Sequence, residues 1–281
     1  MPLTIISMRD AKKSRNRTIE GVKYSAANSA YYYKIMRGML EWMQEEFDRT
    51  VIRGLDTKQM IEKVTSFKDE SPNERYKKML ALFTKRLRTR YSNAVIDKMV
   101  RRALKRSESY SRREMERRLK SFGIDLSKSE MYKRYSSYIS TTVQENITLV
   151  KNLQEDQAKR LQSVVLRGMR EGIAVNRLAS EIQKTLGIAK RRATNIARTE
   201  THKITQQLAD ARAMDVGITR GIWRAVMDNR TSDQHARFNG KPFNLKKGLW
   251  DPKTKTWNWP GRRPRCRCRT IYIIPGVDDE K

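Results

Sequence analysis

A long run of apolar residues at helical spacing begins at Tyr138. Because these residues recur mostly at steps of three and four, they occupy one face of an α-helix, and a long amphipathic helix is predicted here. Gly and Pro are scarce in the first two thirds of the chain, which predicts further helices there. The apolar face of the long helix comprises Ile139, Val143, Ile147, Val150, Leu153, Leu161, Val164 and Val165.

Two helices are predicted upstream, over residues 25–49 and 71–106. The second begins with Ser71, Pro72 and Glu74, which are the residue types of a helix start with a capping box. Lys and Arg crowd the outward faces of both helices. Such faces are either solvated surfaces or surfaces that contact phosphate, and the sequence leaves both alternatives open.

A pair of helices is predicted over residues 176–217, where Gly187 ends the first helix and Gly217 ends the second. Glu200 falls on the apolar stripe of the second helix. Because an unpaired buried carboxylate is costly, we expect Glu200 to form an ion pair, and Arg230 on a later loop is the predicted partner. This structural joint would connect the helix to the C-terminal part of the chain. The stripe comprises Ala193, Ile196, Ala197, Ile204, Leu208 and Ala211.

The composition changes after Gly217. Four of the five tryptophans, five of the seven prolines and both cysteines follow this residue. Strands are predicted over residues 221–227 and 266–274, a short helix over 232–238 and a hairpin over 250–259. We therefore predict an α+β fold, with a mostly helical N-terminal two thirds and a small β-rich C-terminal subdomain.

The predicted organisation has three regions. A basic helical region covers residues 1–137, a long-helix region that ends in the R-T-E helix covers 138–217, and a small α+β subdomain covers 218–281. In the last region, Thr231 and Gln234 fit a capping box for the short helix.

The chain carries 61 Lys and Arg against 31 Asp and Glu, a formal net charge of +30. Such an excess favours polyanionic partners, so nucleic acid or an acidic protein surface is the expected neighbour, and non-specific binding to double-stranded DNA is predicted. Two cysteines without a disulfide-rich pattern fit a reducing compartment. We expect neither a signal peptide nor a membrane span, because no window approaches ~18 uninterrupted apolar residues.

The only two cysteines are Cys266 and Cys268. In a strand their side chains would share one face, because residues two apart point the same way. Two thiolates with His235 and Asp228, or with Asp233 in place of Asp228, would form a zinc site, and zinc is the one cofactor that the sequence suggests. The alternative is that both thiols are small buried apolar groups beneath the tryptophans of the hairpin.

The same segment is rich in cations that could bind DNA phosphates. Trp250, Trp257 and Trp259 lie among them and would either stack on bases or form the core of the small β unit. The predicted DNA-binding residues are Lys253, Lys255, Arg262, Arg263, Arg265, Arg267 and Arg269.

Catalytic signatures are scarce. The chain has two histidines, His202 and His235, and lacks a Ser-His-Asp signature, a phosphate-binding Walker loop and a dinucleotide fingerprint. We therefore predict that the protein is not an enzyme. The alternative is a metal-dependent nuclease that uses His235, with Asp228 and Asp233 as metal ligands.

Three ordered motifs within residues 165–275 resemble the phage head morphogenesis family, the Mu F-like minor head proteins. The motifs are NIARTETHKITQQLADARAMDVGI, WRAVMDNRTSDQHARFNGKPF and PGRRPRCRCR. The residues at matching positions are Arg198, Thr199, Glu200, Trp223, Asp228, Arg230, Thr231, His235, Gly240, Cys266 and Cys268.

This resemblance implies a minor head protein of a tailed bacteriophage, associated with the portal vertex and the packaged DNA. It would act in head morphogenesis or DNA delivery. The implied partners are the portal protein and double-stranded DNA, with a scaffold or major capsid protein as further candidates, and no membrane. The implied location is the capsid interior or portal vertex of the virion, and the host cytoplasm during assembly. The alternative is a nucleic-acid-processing enzyme, a nuclease or toxin domain, on a helical adaptor.

Overall fold

The computed structural model describes residues 18–53, 72–124, 131–171 and 175–274. Helices fill most of the chain and a small antiparallel β region follows, so the predicted α+β fold is confirmed. In chain order the elements are β1 (Thr18–Ile19), α1 (Ala26–Phe47), a π-helical turn (Asp48–Ile52), α2 (Pro72–Arg90), α3 (Asn93–Lys120), α4 (Met131–Glu171), α5 (Val175–Asp215), β2 (Arg220–Arg224), α6 (Asp233–Phe238), β3 (Pro242–Asn244), β4 (Leu249–Asp251), β5 (Thr256–Asn258) and β6 (Arg269–Ile273).

The segment predicted as one helix over residues 71–106 forms two helices instead. Helix α2 ends at Arg90, and α3 begins at Asn93. Ser92 lies between them, and its Oγ accepts a hydrogen bond from the backbone N–H of Val95 at 3.4 Å. A serine at this position satisfies a free N–H at the start of a helix, so local capping divides the segment. Ser71 of the predicted capping box lies outside the described residues.

The pair of helices predicted around Gly187 is a single helix, α5. A glycine inside a helix costs about 1 kcal/mol relative to alanine, but it does not have to end the helix. The apolar stripe continues past Gly187, because Ile182 and Ala189 on either side are both buried. Gly217, in contrast, has a φ of +81° just beyond α5, so the predicted end of this helix is confirmed.

Four strands form an antiparallel sheet in the order β1-β6-β2-β3, and β4 and β5 form a separate hairpin. Strand β6 begins only at Arg269, so Cys266 and Cys268 precede the strand that was predicted to contain them. The physical reason is that β2, the neighbour of β6, ends at the level of Arg269 and leaves the two cysteines without a strand to pair with. Arg269 pairs with Arg224, and Arg224 is the last residue of β2.

The described residues belong to two compact units. The first unit comprises the described residues within 1–30, 102–144 and 197–281, which include the sheet and the hairpin. Its core centres on the ring of Trp223, which lies 4.9 Å from the Phe238 ring between centroids. Other buried apolar members of this core are Ile19, Val22, Met115, Leu119, Ile124, Ala209, Ala213, Val216, Ile218, Phe243, Leu245 and Tyr272.

The second unit comprises the described residues within 31–101 and 145–196. Its buried residues include Tyr32, whose hydroxyl donates a hydrogen bond to Oδ1 of Asn146 at 3.1 Å. No helix among the described residues has both the length and the apolar character needed to cross a membrane. The predicted division into three regions stays a prediction.

Candidate functional site

A row of polar side chains on α5 forms hydrogen bonds with β6 and with the segment just before it. His202 Nε2 donates a hydrogen bond to the carbonyl oxygen of Cys268 at 2.9 Å. One turn later, Gln206 accepts a hydrogen bond from the N–H of Thr270 at 3.4 Å. After another turn, Asp210 accepts hydrogen bonds from the hydroxyl of Thr270 at 2.9 Å and from that of Tyr272 at 3.0 Å.

The three residues His202, Gln206 and Asp210, called the polar ladder below, are all buried. Burial lowers the pKa of His202, and burial also raises the pKa of Asp210 against the opposing charge of Arg262. Sequence reasoning missed the ladder. The available signal was a four-residue spacing of polar groups within the apolar stripe of α5.

Two thiols and one imidazole converge where the segment before β6 meets α6. Sγ of Cys268 lies 3.5 Å from Nδ1 of His235, and Sγ of Cys266 lies 3.9 Å from the same nitrogen. The three atoms all lie within 4.8 Å of one another, and both cysteines are buried. The structure therefore brings together three of the four residues predicted to bind zinc.

Neighbouring groups hold this cluster in place. His235 is on α6, which is capped by Ser232. The centroid of the His235 ring lies 5.6 Å from that of the Trp223 ring. The backbone N–H of Gly261 donates a hydrogen bond to Sγ of Cys266 at 3.3 Å. The predicted capping residue, Thr231, instead donates from its hydroxyl to the carbonyl of Val226.

The two thiols differ in acidity because they interact with each other. The Cys268 thiol donates a hydrogen bond to Cys266, and with the help of His235 this lowers the pKa of Cys266. The pKa of Cys268 is raised, because it faces the Cys266 thiolate and is itself buried.

Asp228, the fourth residue predicted to bind zinc, has other partners. Its carboxylate accepts two hydrogen bonds from Arg267, at 2.6 and 2.5 Å, and one from Arg230 at 3.4 Å. The hydrogen bonds from Arg267 are the main reason that the pKa of Asp228 is lowered. Asp228 is not in the group of three ligand atoms described above.

Glu200 is buried, as predicted, but its ion-pair partner differs from the predicted one. Nζ of Lys203 lies 3.7 Å from the Glu200 carboxylate. Arg230 instead pairs with Asp228. Lys203 is three residues from Glu200 on the same helix, within easy reach of its carboxylate, whereas the Arg230 side chain is 71% exposed.

The predicted DNA-binding cations separate into two groups. Three of them form ion pairs: Arg262 with Asp210, Arg267 with Asp228 and Arg269 with Glu20. The other four are exposed, and we call them the exposed basic group. Its members are Lys253, Lys255, Arg263 and Arg265.

The tryptophans of the hairpin likewise occupy two different environments. Trp250 and Trp257 are 43% and 50% exposed and lie against each other, with ring centroids 5.2 Å apart. Trp259 packs against the core of the first unit, and the guanidinium of Arg262 lies 4.5 Å from its ring centroid. Of the two alternatives for these rings, a core position therefore fits Trp259 and does not fit Trp250 or Trp257.

Comparisons with known proteins agree with the motifs in the sequence. Residues 159–271 match the model of a family described as Phage Mu protein F like protein. An uncharacterized protein of Haemophilus influenzae is 26% identical over 268 residues, which are 94% of this chain and 57% of that protein. Minor head protein GP7 of Bacillus phage SPP1 is 24% identical over 143 residues, 46% of each chain.

The chain thus spans about half the length of the curated relatives that it matches. No solved structure matches it. The region matched by the family model contains α5, with the whole polar ladder, and the three residues of the thiol and imidazole cluster. Residues 159–271 of this chain are therefore similar to the phage Mu protein F-like family.

Proposed function

We propose that the protein is a minor head protein of a tailed bacteriophage, located at the portal vertex, where it contacts packaged DNA during head morphogenesis or DNA delivery. The observation that carries this proposal is the match of residues 159–271 to the phage Mu protein F-like family. The similarity to a minor head protein of a Bacillus phage supports the same role in the virion. Both support a structural head protein, and a protein in this role need not be an enzyme.

The charge of the chain supports the contact with DNA. With a net charge of +30, the protein gains from a neighbour of dense negative charge such as packaged DNA. The exposed basic group provides cations for phosphate. The described residues place no carboxylate within ion-pair distance of its members, and Arg263 donates instead to the neutral side chain of Gln234.

Backbone conformation also distinguishes two of the four members of this group. Lys255 and Arg265 have φ angles of +52° and +60°. A residue other than glycine in this left-handed region costs on the order of 1 kcal/mol, and such conformations are concentrated at functional positions. Both residues are exposed and lie in the turns that contain Pro252 and Pro264, so their side chains are available to a ligand.

The DNA contact is tested by measuring affinity for duplex DNA of unrelated sequences as a function of salt. We expect equal affinities and a steep loss with salt, because each phosphate contact releases counterions. Replacing the exposed basic group with glutamine should flatten the log–log slope by about 0.9 per lost contact, up to about 3.6. The matched control replaces Arg37 and Arg101, which pair with Glu41 and Asp97, and should leave the slope unchanged.

The location is tested on particles assembled from the phage genome that encodes the chain. We expect mass spectrometry to find the protein in purified heads, and cryo-microscopy of the portal vertex to show it beside the portal. Absence from the particles would contradict the proposal. So would multiple-turnover DNA cleavage with Mg²⁺, Mn²⁺ or Zn²⁺ that disappears in His235→Ala, because this result favours a nuclease.

A further inference from the structure

We propose that Cys266, Cys268 and His235 bind one Zn²⁺ ion through Sγ, Sγ and Nδ1, and that the fourth coordination position is open to a solvent-derived ligand. Two soft sulfur ligands and an imidazole are a donor set that suits zinc. The role in the phage head proposed above neither requires nor provides such an ion, so the two proposals stand separately.

The two sulfur–nitrogen distances fit a tetrahedral ion. With Zn–S near 2.3 Å and Zn–N near 2.05 Å, tetrahedral angles separate a sulfur and a nitrogen ligand by about 3.6 Å. The corresponding distances here are 3.5 Å for Cys268 and 3.9 Å for Cys266. Each sulfur–nitrogen distance therefore needs a shift of at most a few tenths of an ångström to hold the ion, and the two sulfur atoms lie within 4.8 Å of each other.

The surroundings prepare the three residues for an ion. The N–H of Gly261 stabilises a thiolate on Cys266, and a ligand must be a thiolate to bind zinc. This N–H can approach because Gly261 has a φ of +74°, and a Cβ there would lie 2.5 Å from Cγ of Gln206. On the other side, the Trp223 ring packs against the imidazole of His235.

The fourth coordination position is left without a protein ligand, because Asp228 is hydrogen-bonded to Arg267. A carboxylate that already accepts two short hydrogen bonds from a guanidinium is occupied by this partner. A cavity of about 170 Å³ adjoins the three ligands and is lined in part by Ser232 and Arg265. Water in this cavity can complete a site of three protein ligands, which is the arrangement of zinc sites that keep an exchangeable position.

The first measurement is the metal content of the full chain, purified under reducing conditions without chelator. We expect about one equivalent of zinc. Titration of the metal-free protein with Co²⁺ should give a thiolate-to-cobalt charge-transfer band and the intense visible bands of a tetrahedral ion. Added azide should shift the visible bands if the fourth position is open. Wild-type protein with neither zinc nor a cobalt–thiolate band would overturn the proposal without any variant.

Variants then identify the ligands. Cys266→Ser, Cys268→Ser and His235→Asn should each weaken zinc binding at least ~100-fold, because even the loss of a group that supports a ligand weakens binding by 10- to 100-fold. Asp228→Asn is the matched control and should retain the wild-type affinity. Far-UV circular dichroism checks that each variant keeps its helices.

Three results would contradict parts of this assignment. Zinc affinity that survives in a variant that combines Cys266→Ser, Cys268→Ser and His235→Asn would place the ion elsewhere. A large loss in Asp228→Asn would make the aspartate a fourth ligand and close the site. Visible bands that do not respond to azide would likewise exclude an exchangeable position.

Discussion

The imidazole of His202 and the carbonyl oxygen of Cys268 are joined by a hydrogen bond of 2.9 Å, and both residues are buried. This bond connects helix α5 to the backbone of the segment that carries both thiols. Because the bond is made to the main chain, it positions Cys268 whatever the state of its sulfur. The stability of this part of the fold is therefore expected to depend on His202.

His202→Ala should destabilise the protein by about 2–3 kcal/mol, because it leaves a buried carbonyl unsatisfied and creates a cavity. His202→Gln should cost less, since an amide N–H can still donate. Urea unfolding followed by tryptophan fluorescence measures both losses. Arg198→Ala, at an exposed position one turn earlier on α5, should change stability by less than ~0.5 kcal/mol. Equal losses for His202→Ala and Arg198→Ala would contradict the role assigned to His202.

Asp210→Ala should lower the free energy of unfolding by about 3 kcal/mol, because it leaves the buried hydroxyls of Thr270 and Tyr272 without their acceptor. Asp210→Asn should cost less, since its amide oxygen still accepts. Tyr272→Phe should then cost at least ~1 kcal/mol less in the Asp210→Ala background than in the wild type. A double-mutant cycle of thermal unfolding measures this coupling. Strictly additive losses would mean that the hydroxyl and the carboxylate do not act together.

Two glycine substitutions should change the stability of the protein in opposite directions. A Cβ on Gly21 would lie 1.9 Å from the carbonyl oxygen of Thr270, so Gly21→Ala must separate the start of the chain from β6 and should cost more than ~2 kcal/mol. At Gly38, exposed within α1, a Cβ meets nothing within 4 Å. Gly38→Ala should therefore stabilise the protein by about 0.5–1 kcal/mol. Denaturant midpoints distinguish the two variants. A loss of stability in Gly38→Ala would be inconsistent with this geometry.

Glu46 should make the second unit sensitive to acid. Burial raises the pKa of Glu46, but hydrogen bonds from Arg49, Arg86 and Thr50 outweigh burial and lower it to about 2. A lowered pKa in the folded state stabilises the fold above pH 4.5, the value without these bonds, and this stability is lost as pH falls toward 2. The contribution is about 3 kcal/mol.

Glu46→Gln should consequently be less stable than the wild type at pH 7, and the difference should shrink between pH 4.5 and pH 2. Unfolding free energies across this range measure the effect. Glu45→Gln, on the exposed face of the same helix, is the matched control and should differ from the wild type by less than ~0.5 kcal/mol. A difference for Glu46→Gln that is independent of pH would contradict the prediction.

Periodicity in the sequence predicted the helices well, because an apolar face is a local property of the chain. Helix α4 and the end of α5 at Gly217 follow directly from it. Interior helix boundaries were less predictable. Ser92 ends a helical run by capping the next helix, whereas packing carries α5 through Gly187.

The candidate site was predictable in part. Alternation along the chain predicted that Cys266 and Cys268 would face the same way, and this holds although they lie outside a strand. Contacts between distant parts of the chain were not predictable. Gln206, for example, donates to the carbonyl of Val22, 184 residues earlier, and no local pattern indicates such a partner.

The pairing of β1 with β6 sets the order of events on the ribosome. Ile19 lies opposite Tyr272, so about 250 residues must be synthesised before this edge strand meets its neighbour. At ~5–20 residues per second, the interval is roughly 10 to 50 seconds. Helices need far less time to form. The sheet of the first unit is therefore completed late, and until then β1 is an unpaired strand of the nascent chain that chaperones or other chains can bind.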